Sequence, residues 1–283
     1  MENSDNSLKL IQDTNLKILC EVKKICQNNN ITAFIDSGTL LGAIRHKDFI
    51  PWDDDIDMTI KRTDYKKFVN ALKKELPEWL EFVDYKDYNG LFFDFVSRVE
   101  VKNSQLRNPQ KEDLAYSNKQ NKISLDIFIL DNAPDNKLMH KLQILQQFLI
   151  YGLAMGHRYK IDYSKYSSIQ GVIIKMLSKI GRRVSIEKIY RMQYKASTKY
   201  NKKDTSYYMA SNYILKEIGI RYRKEWFEKS EKKFIRDEEF DVPNGWDNIL
   251  TKMYGNYMEL PPEEDRVYIH MNNGELIIGK TGE

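Results

Sequence analysis

The chain has 283 residues, 41% of them apolar and 30% charged with both signs interleaved. That suits one large domain, or a catalytic core with an appendage, and is too apolar for a disordered chain. A net charge of only +4, with no arginine-rich stripe and no helix-turn-helix or RNA-recognition signature, argues against nucleic acid as a partner.

Residues 1–7 lack the basic and apolar regions of a signal peptide, and no apolar run is long enough to span a bilayer. A cytoplasmic location is therefore expected. Residues 8–27 place Leu8, Ile11, Leu16, Leu19, Val22 and Ile25 at helical spacing, which predicts an amphipathic helix. Cys20 and Cys26 fall on different faces of it, and neither has close Cys or His neighbours. They read as reduced thiols rather than a disulfide or a zinc site. Residues 31–35 form a short buried strand, 38–45 a helix that follows a small-residue turn, and 56–60 a second strand. Pro51 forbids helix in the loop between. A helix over 63–76 follows, then β-prone runs at 91–101 and 123–130. Residues 138–180 read as helical and aromatic. Beyond 202 come shorter elements: a hairpin arm at 234–242, a helix at 246–254 and a turn ending in Pro261-Pro262. The pattern predicts an α/β protein with a catalytic core over 1–135 and a mainly helical region over 136–283 that completes the site.

The chemistry concentrates between residues 36 and 60. Asp55 and Asp57 are two apart on a strand, so their side chains share a face. Two carboxylates on one face suit a hard divalent cation such as Mg²⁺, with Mn²⁺ as the alternative. Asp126 is the lone charge in an apolar strand. A buried charge needs compensation, and a shared metal would supply it, which makes Asp126 the expected third ligand. Asp94 is a second choice by the same argument. Acids after a Pro-Trp turn can also simply open a strand. That reading must still account for Ser37-Gly38-Thr39 upstream, where small residues and a helix N-terminus would cradle phosphate.

These residues match the nucleotidyltransferase superfamily pattern, and the chain more narrowly resembles the LicD family. The stretch from Asp36 to Asp57 follows that family's core motif, with Ser37 where glycine is usual. Asp126 to Asp131 matches a second motif. Tyr254 to Pro262 matches a third, with Asn256 replacing Asp, and His270 resembles a family histidine just beyond it. The resemblance implies a nucleotidyltransferase-like mixed sheet flanked by helices. It also implies metal-dependent transfer of phosphocholine from CDP-choline to a sugar hydroxyl of teichoic acid, lipopolysaccharide or capsule. Fukutin and fukutin-related protein, similar to this family, move ribitol phosphate from CDP-ribitol. Transfer of a glycerol or ribitol phosphate is thus one alternative; a sugar nucleotidyltransferase and a catalytically dead binding module are others.

In this reading Asp55, Asp57 and Asp126 are catalytic and hold the metal. Ser37, Gly38, Thr39, Arg45, Trp52 and His270 bind substrate. Trp52 would stack on cytosine or line a choline site, unless it is a packing anchor. Arg45 would bind phosphate, unless it pairs with Asp48 or Asp53. Asp131 would cap a turn before Pro134. The apolar and basic region 142–183 would make a peripheral contact with the inner face of the plasma membrane, bringing the enzyme to a lipid-linked acceptor. An ordinary helical subdomain is the competing reading.

Overall fold

A computed structural model describes residues 2–213, 217–267 and 277–278. Its centre is a seven-stranded mixed sheet. Helix α1 (Glu2–Asn28) leads and buries Ile11, Ile18, Leu19 and Val22 in the main core. Then come β1 (Ala33–Ile35), α2 (Ser37–Arg45), β2 (Ile56–Lys61), α3 (Arg62–Glu75) and β3 (Leu80–Val83). Strand β4 (Ser97–Val101), the short β5 (Ser104–Gln105) and α4 (Lys111–Ala115) precede the long central strand β6 (Ser124–Ala133). The sheet order is β1-β2-β6-β4-β3. Strands β2 and β6 run parallel, and the other neighbours are antiparallel.

Helices α5 (Lys137–Ala154), α6 (Ser168–Gly181) and α7 (Ile186–Ser197) form a layer with its own small core around Phe92, Ile150, Met155 and Ile189. The chain then returns to the sheet. Strand β7 (Tyr207–Ala210) pairs with the end of β6, and β8 (Tyr222–Arg223) with β7. A hairpin of β9 (Ser230–Ile235) and β10 (Glu238–Pro243), helix α8 (Trp246–Tyr254) and β11 (Ile277–Ile278), which pairs with β5, complete the described elements.

Two expectations are corrected. The β-prone run at 91–101 is strand only from Ser97. Its first part is taken by the helical layer: Phe92 N–H donates to His157 O at 3.0 Å, and the Arg158 guanidinium donates to Phe93 O at 2.7 Å. Asp131 caps no turn. It lies fully buried on β6, where Arg62 donates to both its oxygens at 2.9 and 2.7 Å and Ser211 and Asn201 donate as well.

Gly42 fixes the distance between α2 and the acid-bearing loop. A Cβ there would meet Asp48 O at 2.7 Å and Ile50 N at 3.0 Å, both backbone atoms that cannot swing aside. Alanine favours a helix by about 1 kcal/mol, whereas forced overpacking costs about 1–3 kcal/mol. Gly42→Ala should therefore destabilise the protein despite its better propensity, seen as a lower urea midpoint.

Strand β4 carries one costly group. Glu100 is fully buried, neither carboxylate oxygen has a hydrogen-bond partner, and Lys119 Nζ stands 3.9 Å away. Burial pushes its carboxyl up to about 8. Between the ordinary glutamate range and that value, the folded chain keeps a proton that the unfolded chain has lost. Stability must fall as pH rises through this window, by up to about 1.4 kcal/mol per pH unit. Glu100→Gln should lessen the fall of the melting temperature between pH 5 and pH 8 and raise it at the alkaline end.

Candidate active site

The turn after β1 is built to hold β2. Asp36 caps α2, its carboxylate accepting Ser37 N–H at 2.8 Å. Ser37 adopts φ +47°, in the left-handed region that favours glycine, which fits the glycine that the resemblance leads one to expect there. Its hydroxyl meets that of Tyr213. A Cβ on Gly38 would come 2.6 Å from Asp53 Oδ2, so glycine lets that carboxyl lie against the start of the helix. Thr39 is buried, and its hydroxyl accepts Asp57 N–H at 2.9 Å, while Asp36 N–H donates to Asp57 O at 3.0 Å. Ser37 and Gly38 therefore line the site, whereas Thr39 serves it through Asp57.

Sheet register brings the acids together. Asp57 on β2 lies beside Asp126 on β6, and Arg98 on β4 lies opposite Asp126. The three side chains come from adjacent strands and open on a cleft of about 640 Å³. That volume suits a small-molecule ligand. Among the described residues seven acids line it (Asp53, Asp55, Asp57, Asp94, Asp126, Glu217 and Asp265) against a single cation, Arg98. Arg98 is already engaged, with Asp94 Oδ2 at 2.6 Å and Asp126 Oδ1 at 2.8 Å. Burial works against its charge, and Asp126 and Asp94 more than restore it. The compensation that Asp126 needs thus comes first from an arginine.

The remaining acids crowd one another. Burial raises the Asp57 carboxyl well above the usual range, and Asp55, Asp126, Asp36 and Asp53 push it further. Asp53 is driven up to about 9 by burial and then by Asp55. Asp36 rises only to about 6, because Ser37 N–H and the Thr59 hydroxyl offset its burial.

The donor chemistry suits a hard divalent cation: the acids that line the cleft offer carboxylate oxygens. Among the described residues, however, no three Asp, Glu, His or Cys side chains already converge on one ion position. Two carboxylates with substrate phosphate oxygens would be the fitting coordination for magnesium.

Trp52 lines the cleft, with the Arg266 guanidinium 5.5 Å from its ring centroid. Arg45 does not line it. Its Nη1 donates to Tyr257 O at 2.8 Å and Glu259 O at 3.3 Å, and its Nε to His46 at 2.9 Å. Arg45 thus ties α2 to the 254–260 turn, and pairs with neither Asp48 nor Asp53. Asp48 belongs to Arg236, at 2.9 Å. His270 lies outside the described residues. Sequence reasoning missed Arg98 and the aromatic walls Phe93, Phe128, Tyr213 and Tyr254. For Arg98 there was a signal: it is the lone cation in the β-prone run 91–101, as Asp126 is the lone acid in Leu125-Asp126-Ile127.

A turn that opens a helix, followed by Asp55-Ile56-Asp57 at the entry to a strand, with a third acid on the parallel neighbour, defines a nucleotidyltransferase-like protein. Residues 30–149 match the LicD/FKTN/FKRP nucleotidyltransferase domain. It is 28% identical over 276 residues to the lipopolysaccharide cholinephosphotransferase LicD of Haemophilus influenzae, covering 93% of this chain and 95% of that protein. An uncharacterized protein of Rickettsia typhi is 41% identical over 56 residues, 20% of this chain and 18% of its own length. One of Rickettsia prowazekii is 44% identical over 48 residues, 17% of this chain and 18% of its own length.

Proposed function

We propose that the protein transfers phosphocholine from CDP-choline to a sugar hydroxyl of a cell-surface glycan, with lipopolysaccharide the first acceptor to try, in a divalent-metal-dependent reaction. The observation that carries this reading is a cleft rich in acids and walled by Trp52, Phe93, Phe128, Tyr213 and Tyr254. A cleft this rich in acids repels a bare diphosphate, whereas a diphosphate–magnesium complex is not repelled in this way. Aromatic faces and acids together are the surroundings that a quaternary ammonium prefers. A polyol offers no such match, which favours choline over glycerol or ribitol. The near full-length similarity to a lipopolysaccharide cholinephosphotransferase supports the same choice.

In this mechanism Asp55 and Asp57 would hold the metal. When bound, it would neutralise the donor diphosphate and the departing CMP. Gly38 and the N-terminus of α2 face the phosphate oxygens. Arg98 holds Asp126 in place, and Asp126 takes the proton of the attacking hydroxyl. That oxygen attacks the phosphorus bearing choline, and its bond to the CMP oxygen breaks.

The test is CMP release from CDP-choline, CDP-glycerol and CDP-ribitol with a glycan extract, in magnesium or chelator. Metal-dependent CMP from CDP-choline alone is the expected result. CMP from a CDP-alditol instead would move the donor, and pyrophosphate release from a sugar phosphate and a nucleoside triphosphate would replace the reading by nucleotidyl transfer.

A further inference from the structure

Helix α6 turns Ile174 and Leu177 inward and yet exposes most of its apolar residues. Its buried residues are Ser178 and Gly181, whereas Ile169, Val172, Ile173, Met176 and Ile180 are exposed. Those five recur at three- and four-residue spacings and so form one stripe. Ile169 is 76% exposed and Val172 68%. On α5, which packs against α6, Leu138, Leu142, Leu145 and Leu149 repeat the pattern and are exposed too. A helix at a water-facing surface has the opposite distribution. An apolar face of this extent marks a surface that something covers.

Charge identifies the cover. Residues 137–186 hold nine Lys and Arg, Lys175, Lys179, Arg182 and Arg183 among them, against one acid, Asp162. The whole chain carries only +4, so the rest of it is net negative. A second copy of the chain would set two such cationic regions against each other. An anionic bilayer would neutralise them while its acyl boundary accepts the apolar stripe. Among the described residues no helix is long and apolar enough to cross a membrane.

We infer that α6, with the exposed stripe of α5, seats the protein in the headgroup layer of an anionic bilayer. The helical layer also holds one wall of the cleft. Arg158 donates to Phe93 O, and the Tyr190 hydroxyl donates to Asp94 O, while Phe93 and Asp94 line the cleft. Docking by this layer thus brings the cleft to the membrane surface, where a lipid-carried acceptor would be presented. The inference does not depend on which group is transferred.

The test is sedimentation of the full chain with vesicles of equal parts phosphatidylglycerol and phosphatidylethanolamine, and with phosphatidylcholine vesicles as the neutral control. The protein should bind the anionic vesicles, bind the neutral ones far less, and weaken as salt rises. Ile169→Asp with Met176→Asp should lower the affinity by about tenfold or more. Lys175→Gln with Lys179→Gln should lower it less and reduce the salt dependence. Melting temperatures check that both variants fold; their positions are exposed, and the second pair stands should the first unfold. Absence of binding to anionic vesicles at low salt would overturn the inference. So would equal binding to the neutral ones, or a dimer in sedimentation velocity that the Asp variants dissociate.

Discussion

Asp57→Asn should lose turnover by about 10³-fold or more and yet melt at a higher temperature than the wild-type chain. The two effects share a cause. Asp57 is held in the cleft by Thr39 and Asp36 through its backbone, so its carboxyl is aimed without being neutralised. Burial and four neighbouring acids disfavour its charge. Such an arrangement destabilises the protein and suits a cation that arrives with substrate. Asparagine keeps the shape and the backbone contacts and removes the repulsion, for a gain of about 1–3 kcal/mol at neutral pH. The checks are CMP release and a thermal melt in chelator. Lost turnover with an unchanged or lower melting temperature would mean that the acids are not mutually strained. Retained turnover would remove Asp57 from the reaction.

The acids of the site are legible in the sequence. Asp55, Asp57 and Asp126 stand out because a carboxylate in an apolar strand is an anomaly in one dimension. Only Asp57 lies on β2; Asp55 stands one residue before the strand begins at Ile56, so the strand expected to carry both acids is one residue shorter at this end. That Asp126 joins them needs the parallel register of β2 with β6, which a lone acid in a strand hints at and does not fix. Arg98 needed the antiparallel register of β4 with β6 as well, and its segment read as one unbroken strand until the helical layer claimed Phe92 and Phe93. Arg45 was drawn towards phosphate by its place in the motif. Its carbonyl partners lie 212 and 214 residues away, a separation no local pattern encodes. Asp131 fails the same way, because Arg62, Asn201 and Ser211 meet it only in three dimensions. Periodicity found α6 but could not say that its apolar stripe faces outward, since spacing defines a face and packing decides its direction.

Arg98→Ala should be the most damaging single change to stability near the site. Arg98 is buried and grips two carboxylates, with contacts of 3.0 and 2.6 Å to Asp94 and 3.1 and 2.8 Å to Asp126. It also donates to Tyr88 Oη at 3.1 Å. Breaking a buried pair by removing one partner costs about 3–5 kcal/mol, because the other charge is left behind. The Asp94 and Asp126 side chains are 23% and 26% exposed, so solvent in the cleft screens part of that penalty. A loss of about 3 kcal/mol in denaturant unfolding follows. Arg98→Lys keeps the charge and loses the fork that spans both acids, so it should recover only part of the loss. Adding Asp94→Asn to Arg98→Ala removes one stranded charge and should restore stability relative to the single variant. If the double variant is no more stable than Arg98→Ala, the arginine acts through packing, and its pairing with Asp94 contributes little.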